Sequence, residues 1–184
     1  MSAELNIGRL PAVPALERRD LLAPAVAAFL ASWSRADAVG VAEIDPELAD
    51  TAAFCAAYDV APEASANCVV VAGRRGEVST MAACMVLATT RADVNGVVRR
   101  RLDARKASFA PMDVAVAETG MEHGGITPVG LPAGWPILID AAVVAAGDVV
   151  IGSGLRRSKL VLPGDALADL PGAEVIEGLA NPTG

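Results

Sequence analysis

Between positions 122 and 130 the chain reads Glu122-His123-Gly124-Gly125-Ile126-Thr127-Pro128-Val129-Gly130. Two adjacent glycines carry no Cβ and admit positive φ. Successive backbone N–H groups can then converge on one small space, a nest that holds an oxyanion or polarises an ester carbonyl. Pro128 stiffens the far side. The alternative is a connecting loop whose glycines serve only flexibility. His123 beside it is the chain's single histidine. An imidazole suits a general base or a ribose contact. No orienting partner is visible in the sequence, so an exposed loop residue is the competing reading.

Other chemistries are missing their residues. There is no phosphate loop of the Gly-x-x-x-x-Gly-Lys-Ser/Thr type, no G-x-G-x-x-G after a strand, and no G-x-S-x-G elbow. Cys55, Cys68 and Cys84 form no CxxC pair, and one histidine cannot complete a zinc site. No metal and no cofactor are expected. The three thiols read as reduced core residues. Strand alternation turns Cys68 away from whatever its neighbour Asn67 faces, which disfavours a Cys68 nucleophile.

The elements that must position the glycine loop follow from periodicity and punctuation. Val26, Phe29, Leu30 and Trp33 recur at helical spacing behind Pro24, giving a helix over 24–35. That packed helix accounts for a stretch which, behind Arg18-Arg19, also resembles a twin-arginine leader. Val39 to Glu43 reads as a strand, and Asp45-Pro46 opens a helix running to about Tyr58. Asn67–Ala72 and the apolar run Val78–Ala88 form a central hairpin around Arg74-Arg75-Gly76-Glu77. Thr90 to Asp93 starts a helix with Val94, Val97, Val98 and Leu102 on its buried face. Lys106–Phe109 is a strand, and Pro111 and Gly120 bound a helix. Strands follow at Pro136–Asp140, Asp148–Gly152, Ser158–Leu162 and Ala173–Ile176, with a helix over 163–170. The expected fold is α+β: one domain, a mixed barrel-like sheet surrounded by helices. Residues 1–20 are expected to be an extended lead-in, 21–178 the domain, and 179–184 a frayed tail.

The 184 residues carry 22 Asp and Glu against 15 Lys and Arg, a net charge of −7. Aromatic residues make up 3%. Together these exclude a whole-surface nucleic-acid binder and a base-stacking platform. They leave room for a local contact through Arg99, Arg100, Arg101, Arg105 and Lys106, or through Arg156, Arg157 and Lys159. Helix-dipole complementarity explains the arginine run equally well. No apolar run reaches the roughly 18 residues of a membrane span. A cytoplasmic protein with no membrane partner is expected.

Three segments carry a family resemblance. They are Met121 to Leu131, Pro136 to Asp140, and Ile151-Gly152-Ser153-Gly154-Leu155-Arg156. With Lys106-Ala107-Ser108-Phe109-Ala110 before them, they resemble the YbaK/EbsC family. These are aminoacyl-tRNA deacylases related to the editing insertion of bacterial prolyl-tRNA synthetases. The similarity runs from about Ala66 to Ile176.

The resemblance implies hydrolysis of the ester joining a wrong amino acid to tRNA. Gly124 and Gly125 would then hold the carbonyl, with Ile126, Thr127, Pro128 and His123 around the substrate. Asp140, Ser153 and Gly154 would line or support the pocket, and Arg101, Lys106, Arg156 and Lys159 would contact tRNA. The partners implied are an acceptor end carrying an amino acid and an aminoacyl-tRNA synthetase, with the chain a monomer or weak dimer. Active relatives carry a lysine where this chain has Asn67. Asn67 cannot titrate near neutral pH, so it can orient water or carbonyl but not act as a base. Lys159 falls where relatives often have an acidic residue. The two changes compensate only if both positions face one pocket; otherwise Lys159 is a surface lysine. Loss of the lysine also admits a non-catalytic module that binds aminoacyl-tRNA or a synthetase on the same scaffold.

Overall fold

The central strands alternate large apolar residues between two opposite faces, and the architecture buries both faces. The structure, a computed structural model, describes residues 5–183. In chain order the strands are β1 (Val13–Pro14), β2 (Gly40–Glu43), β3 (Ala66–Arg75), β4 (Val78–Leu87), β5 (Thr90–Ala92), β6 (Lys106–Phe109), β7 (Ile137–Asp140), β8 (Asp148–Gly152), β9 (Ser158–Pro163), β10 (Ala173–Ile176) and β11 (Ala180–Pro182). The α-helices are α1 (Pro24–Leu30), α2 (Thr51–Tyr58), α3 (Arg99–Arg101), α4 (Met112–Thr119) and α5 (Ala141–Val144).

One sheet has the order β1-β2-β9-β8 and a second the order β10-β7-β4-β3-β6; β11 and β5 make a separate pair. The second sheet is mixed: β7 runs parallel to β4 and β10, while β3 is antiparallel to β4 and β6. The α+β single-domain expectation holds, but the sheets do not close into a barrel.

Between the sheets lie Met85, Ile137, Ile139, Val149, Ile151, Leu160 and Leu162, joined by Val26 and Leu30 of α1. The alternate residues Cys84, Val86 and Leu138 face the other way, toward Val94 and Val98. Val150 and Val161 likewise face outward from the first sheet and pack under Phe54 of α2. This two-faced burial explains why Val78–Ala88 shows no polar alternation after Thr80.

Several expectations shift at their edges. Helix α1 stops at Leu30, although Trp33 still packs on Phe29 with ring centroids 5.5 Å apart. Thr90–Ala92 is strand, and Asp93 caps the helix instead. Its carboxylate accepts from Gly96 and Val97 N–H at 3.0 and 3.1 Å. The first turn, Val94–Val98, winds as π-helix before α3. Residues 163–170 form a 3-10 segment at Gly164–Asp169.

The lead-in is not loose: Val13 pairs with Val41, and Leu10 and Ala15 are buried. Nor does the tail fray. Leu179 is fully buried, and Ala180 pairs with Ala92. Among the described residues no helix is long and apolar enough to cross a membrane.

Candidate active site

The glycine loop is held by a second glycine-bearing segment, not by its own turn alone. Gly154 N–H donates to Gly125 O at 2.7 Å, and Glu122 N–H to Gly154 O at 2.9 Å. A Cβ on Gly152 would lie 2.6 Å from the carbonyl oxygens of Gly125 and Ile126. A Cβ on Gly125 would lie 2.7 Å from the Leu155 carbonyl carbon. Of the adjacent pair, Gly124 has the positive φ, +82°. Gly125 is glycine because two backbones touch there. A glycine within a strand signals such an approach, and Gly152 at the end of β8 carries that signal in the sequence.

Side chains lock the same junction. Arg156 N–H donates to Glu122 Oε1 at 2.9 Å. The Arg156 guanidinium donates to the carbonyls of His123 and Pro46, each at 3.2 Å. It thereby ties the glycine loop to the segment before α2. Beneath, the buried Ser153 hydroxyl lies 2.7 Å from Ser158 Oγ, and Ser158 donates to Leu21 O at 2.6 Å. Ser153 and Gly154 thus support the loop from the core side.

A cavity of about 360 Å³ opens against this loop. Gly124, Ile126 and His123 form one side. Asn67 and Cys68 from the start of β3, Gly152 of β8 and Lys159 of β9 form the other, with Asp50, Thr51 and Met112 at the edges. Among the described residues, the N–H groups of Gly124 and Ile126 donate to no protein acceptor, whereas Gly125 N–H is used on Glu122 O at 2.9 Å. Two amides are therefore available to a ligand carbonyl.

On the opposite side the Thr51 hydroxyl donates to Asn67 Oδ1 at 2.8 Å. This fixes the side-chain amide and leaves its nitrogen to donate. Lys159, half-buried, donates from Nζ to Ala49 O at 3.2 Å and lies 5.2 Å from the Phe54 ring centroid. Burial pushes its pKa below the ordinary lysine value, and the Arg156 charge adds to that; Cys55 and Asp50 act the other way. Asn67 and Cys68 both border the cavity, but Cys68 packs with its β4 partner Met85 between the sheets while Val86, the partner of Asn67, faces the other way, so strand alternation still turns the two side chains apart. Burial pushes the Cys68 thiol far up, which keeps it protonated and a poor nucleophile.

The remaining expected residues lie elsewhere. Thr127 is fully buried, and its hydroxyl has no partner among the described residues. Pro128 borders a separate groove with Phe29 and Trp135. Asp140 caps α5 by accepting from Ala142 N–H and ties down β11 by accepting from Ala180 N–H, both at 3.0 Å. Arg101 pairs with Glu174 at 3.1 Å, and Lys106 is exposed on β6 opposite Arg74. Thr51, Asp50 and Met112 had no distinguishing signal in the sequence; only folding brings them to the cavity.

Residues 45–170 match the family model of the aminoacyl-tRNA editing domain. The match takes in α2, upstream of the stretch that carried the resemblance. Among solved structures, a candidate trans-editing enzyme for prolyl-tRNA synthetase superposes with a TM-score of 0.71 at 20% identity, over 85% of this chain and 97% of that one. A protein from an epitope-grafting design study superposes with a TM-score of 0.72 at 21% identity, over 84% and 95% of the two chains. A hypothetical protein gives 0.68 at 18% identity, over 77% and 90%. At these identities the likeness is one of fold. No curated protein matches the chain.

Proposed function

We propose that this chain, which belongs to the aminoacyl-tRNA editing domain family, is a free-standing deacylase that hydrolyses the ester between a wrong amino acid and its tRNA. The observation that carries this reading is the cavity of about 360 Å³ with two unused amides on one side and an anchored polar side chain on the other. That volume lies toward the low end of small-ligand pockets, about 300–1,000 Å³. It suits a small aminoacyl group and is too small for folded RNA.

In this reading Gly124 and Ile126 donate to the ester carbonyl, and Gly125 sets their spacing through its contact with Leu155. Asn67, fixed by Thr51, orients the attacking water or the carbonyl; it does not take the proton. The terminal ribose hydroxyl beside the ester helps place that water. His123, exposed at the rim, contacts the ribose. Arg156, Lys106 and Arg101 meet phosphates of the tRNA through local contacts, since the chain as a whole is acidic. The protein acts in the cytoplasm, as a monomer or weak dimer, alone or with a synthetase.

The test is a panel of alanyl-, cysteinyl-, seryl- and prolyl-tRNAs, followed by loss of labelled amino acid against a no-protein control. Hydrolysis of one species, abolished by Gly125→Ala, is expected. One observation favours a second reading, a binding module without turnover: Asn67 has no proton to exchange near neutral pH. That reading predicts tRNA binding with no release, and release gained in Asn67→Lys.

A further inference from the structure

A carbonyl held by two amides needs no cation beside it, yet the cavity wall contains one. Lys159 lies directly across the β8–β9 ladder from Gly152, the residue whose α-carbon abuts the Gly125 and Ile126 carbonyls. The lysine therefore stands one strand away from the amide-bearing loop. Its only hydrogen-bond acceptor among the described residues is Ala49 O, at 3.2 Å. Under it is the Phe54 ring. No carboxylate reaches it in an ion pair among the described residues. An ammonium has three donors, so two are left without an acceptor among the described residues, on a side chain that lines the cavity. Removing a charge from water without a counter-charge is unfavourable. An ordinary surface lysine avoids that state, as exposed Lys106 does. Burial and the Arg156 charge already weaken the Lys159 proton's hold, so the site is short of negative charge.

Building on the deacylase reading, we propose that Lys159 is the cation that stabilises the oxyanion formed on the ester carbonyl. A water oxygen bonds to the carbonyl carbon, and the carbonyl π pair moves to its oxygen, against the Lys159 ammonium. As the tetrahedral species collapses, the carbon–ribose oxygen bond breaks. The ribose oxygen leaves with the proton that the water gives up, producing free amino acid and a tRNA hydroxyl. The carbonyl oxygen is neutral at the start and anionic at the tetrahedral stage, so the ammonium favours the transition state over bound substrate.

Lys159→Met keeps an unbranched side chain one atom shorter and removes its charge. Expected is a fall of about 100-fold in kcat with little change in KM, and an unfolding temperature equal to or above that of the native chain. Asn67→Lys placed in the Lys159→Met background restores an ammonium to the same cavity and should recover at least about tenfold of the loss. A Lys159→Met protein within threefold of native on the same tRNA overturns the proposal and leaves the deacylase reading standing. A native chain that releases no amino acid from any member of the panel overturns both. The native protein provides a second measurement that no folding defect can blur. An adenosine bearing a phosphonate mimic of the tetrahedral stage should bind at least about tenfold tighter than the planar amide analogue. Equal binding of the two overturns the role assigned to Lys159, and binding of neither overturns the deacylase reading as well.

Discussion

One side of the cavity is built from backbone and the other from side chains. The backbone side consists of Gly124 and Ile126, pressed against β8 at Gly152 and stitched by the Gly154–Gly125 hydrogen bond of 2.7 Å. The side-chain side consists of Asn67 and Lys159, held by the hydroxyl of Thr51 and the carbonyl of Ala49. The first kind of wall adapts poorly: a Cβ at Gly125 or Gly152 meets main chain. The second can exchange residues, because a hydrogen bond can be rebuilt from a neighbouring strand.

Substitutions should separate the two walls. Gly152→Ala forces a Cβ to within 2.6 Å of two carbonyl oxygens. Overpacking of this kind costs about 1–3 kcal/mol. A loop displaced by about 1 Å loses about 100-fold in rate. Turnover and unfolding temperature should fall together, as read by deacylation and calorimetry. Unchanged turnover would mean the backbone wall is not rigid. Thr51→Val removes the hydroxyl that orients Asn67. The loss of one hydrogen bond, about 1 kcal/mol, predicts roughly fivefold slower turnover with an unfolding temperature near native.

Residues on neither wall should act on binding alone. Lys106→Ala should reduce the slope of log(kcat/KM) against log salt by about 0.7–0.9, with kcat unchanged. Arg101→Ala should reduce it less, because Glu174 at 3.1 Å already competes for that guanidinium. The smallest effect on turnover at neutral pH belongs to the thiol behind the side-chain wall. Burial pushes the Cys84 pKa from 9.0 up to about 12. Above pH 9 the unfolded chain releases this proton while the folded chain keeps it. Stability from this group is therefore complete below about pH 9 and declines toward about pH 12. Urea unfolding across that range should show a decline that is shallower in Cys84→Ala.

The two walls also differ in how much of them could be read from the chain. Adjacent glycines at 124 and 125 mark a backbone site because no other residue type fits one. The strands of the central hairpin, β6, β8 and β10 are legible for a related reason: their apolar runs are bounded by charged or glycine-containing turns. The side-chain wall depends on register between distant strands. That Lys159 and Asn67 line one cavity follows from β9 pairing with β8 and from Ser65 bridging to Val150. Neither pairing has a local signature. Strands β1, β5 and β11 and helix α5 are two to four residues long. Segments that short show no period, and their partners alone define them.

The reaction proposed for this cavity is hydrolysis of an aminoacyl ester. Its most direct test is single-turnover release of labelled amino acid from the four-tRNA panel, with the chain in excess and Gly125→Ala beside it. Release from at least one species well above the no-protein rate, lost in Gly125→Ala, is expected. Release at the no-protein rate from all four, with tRNA still bound, would contradict it.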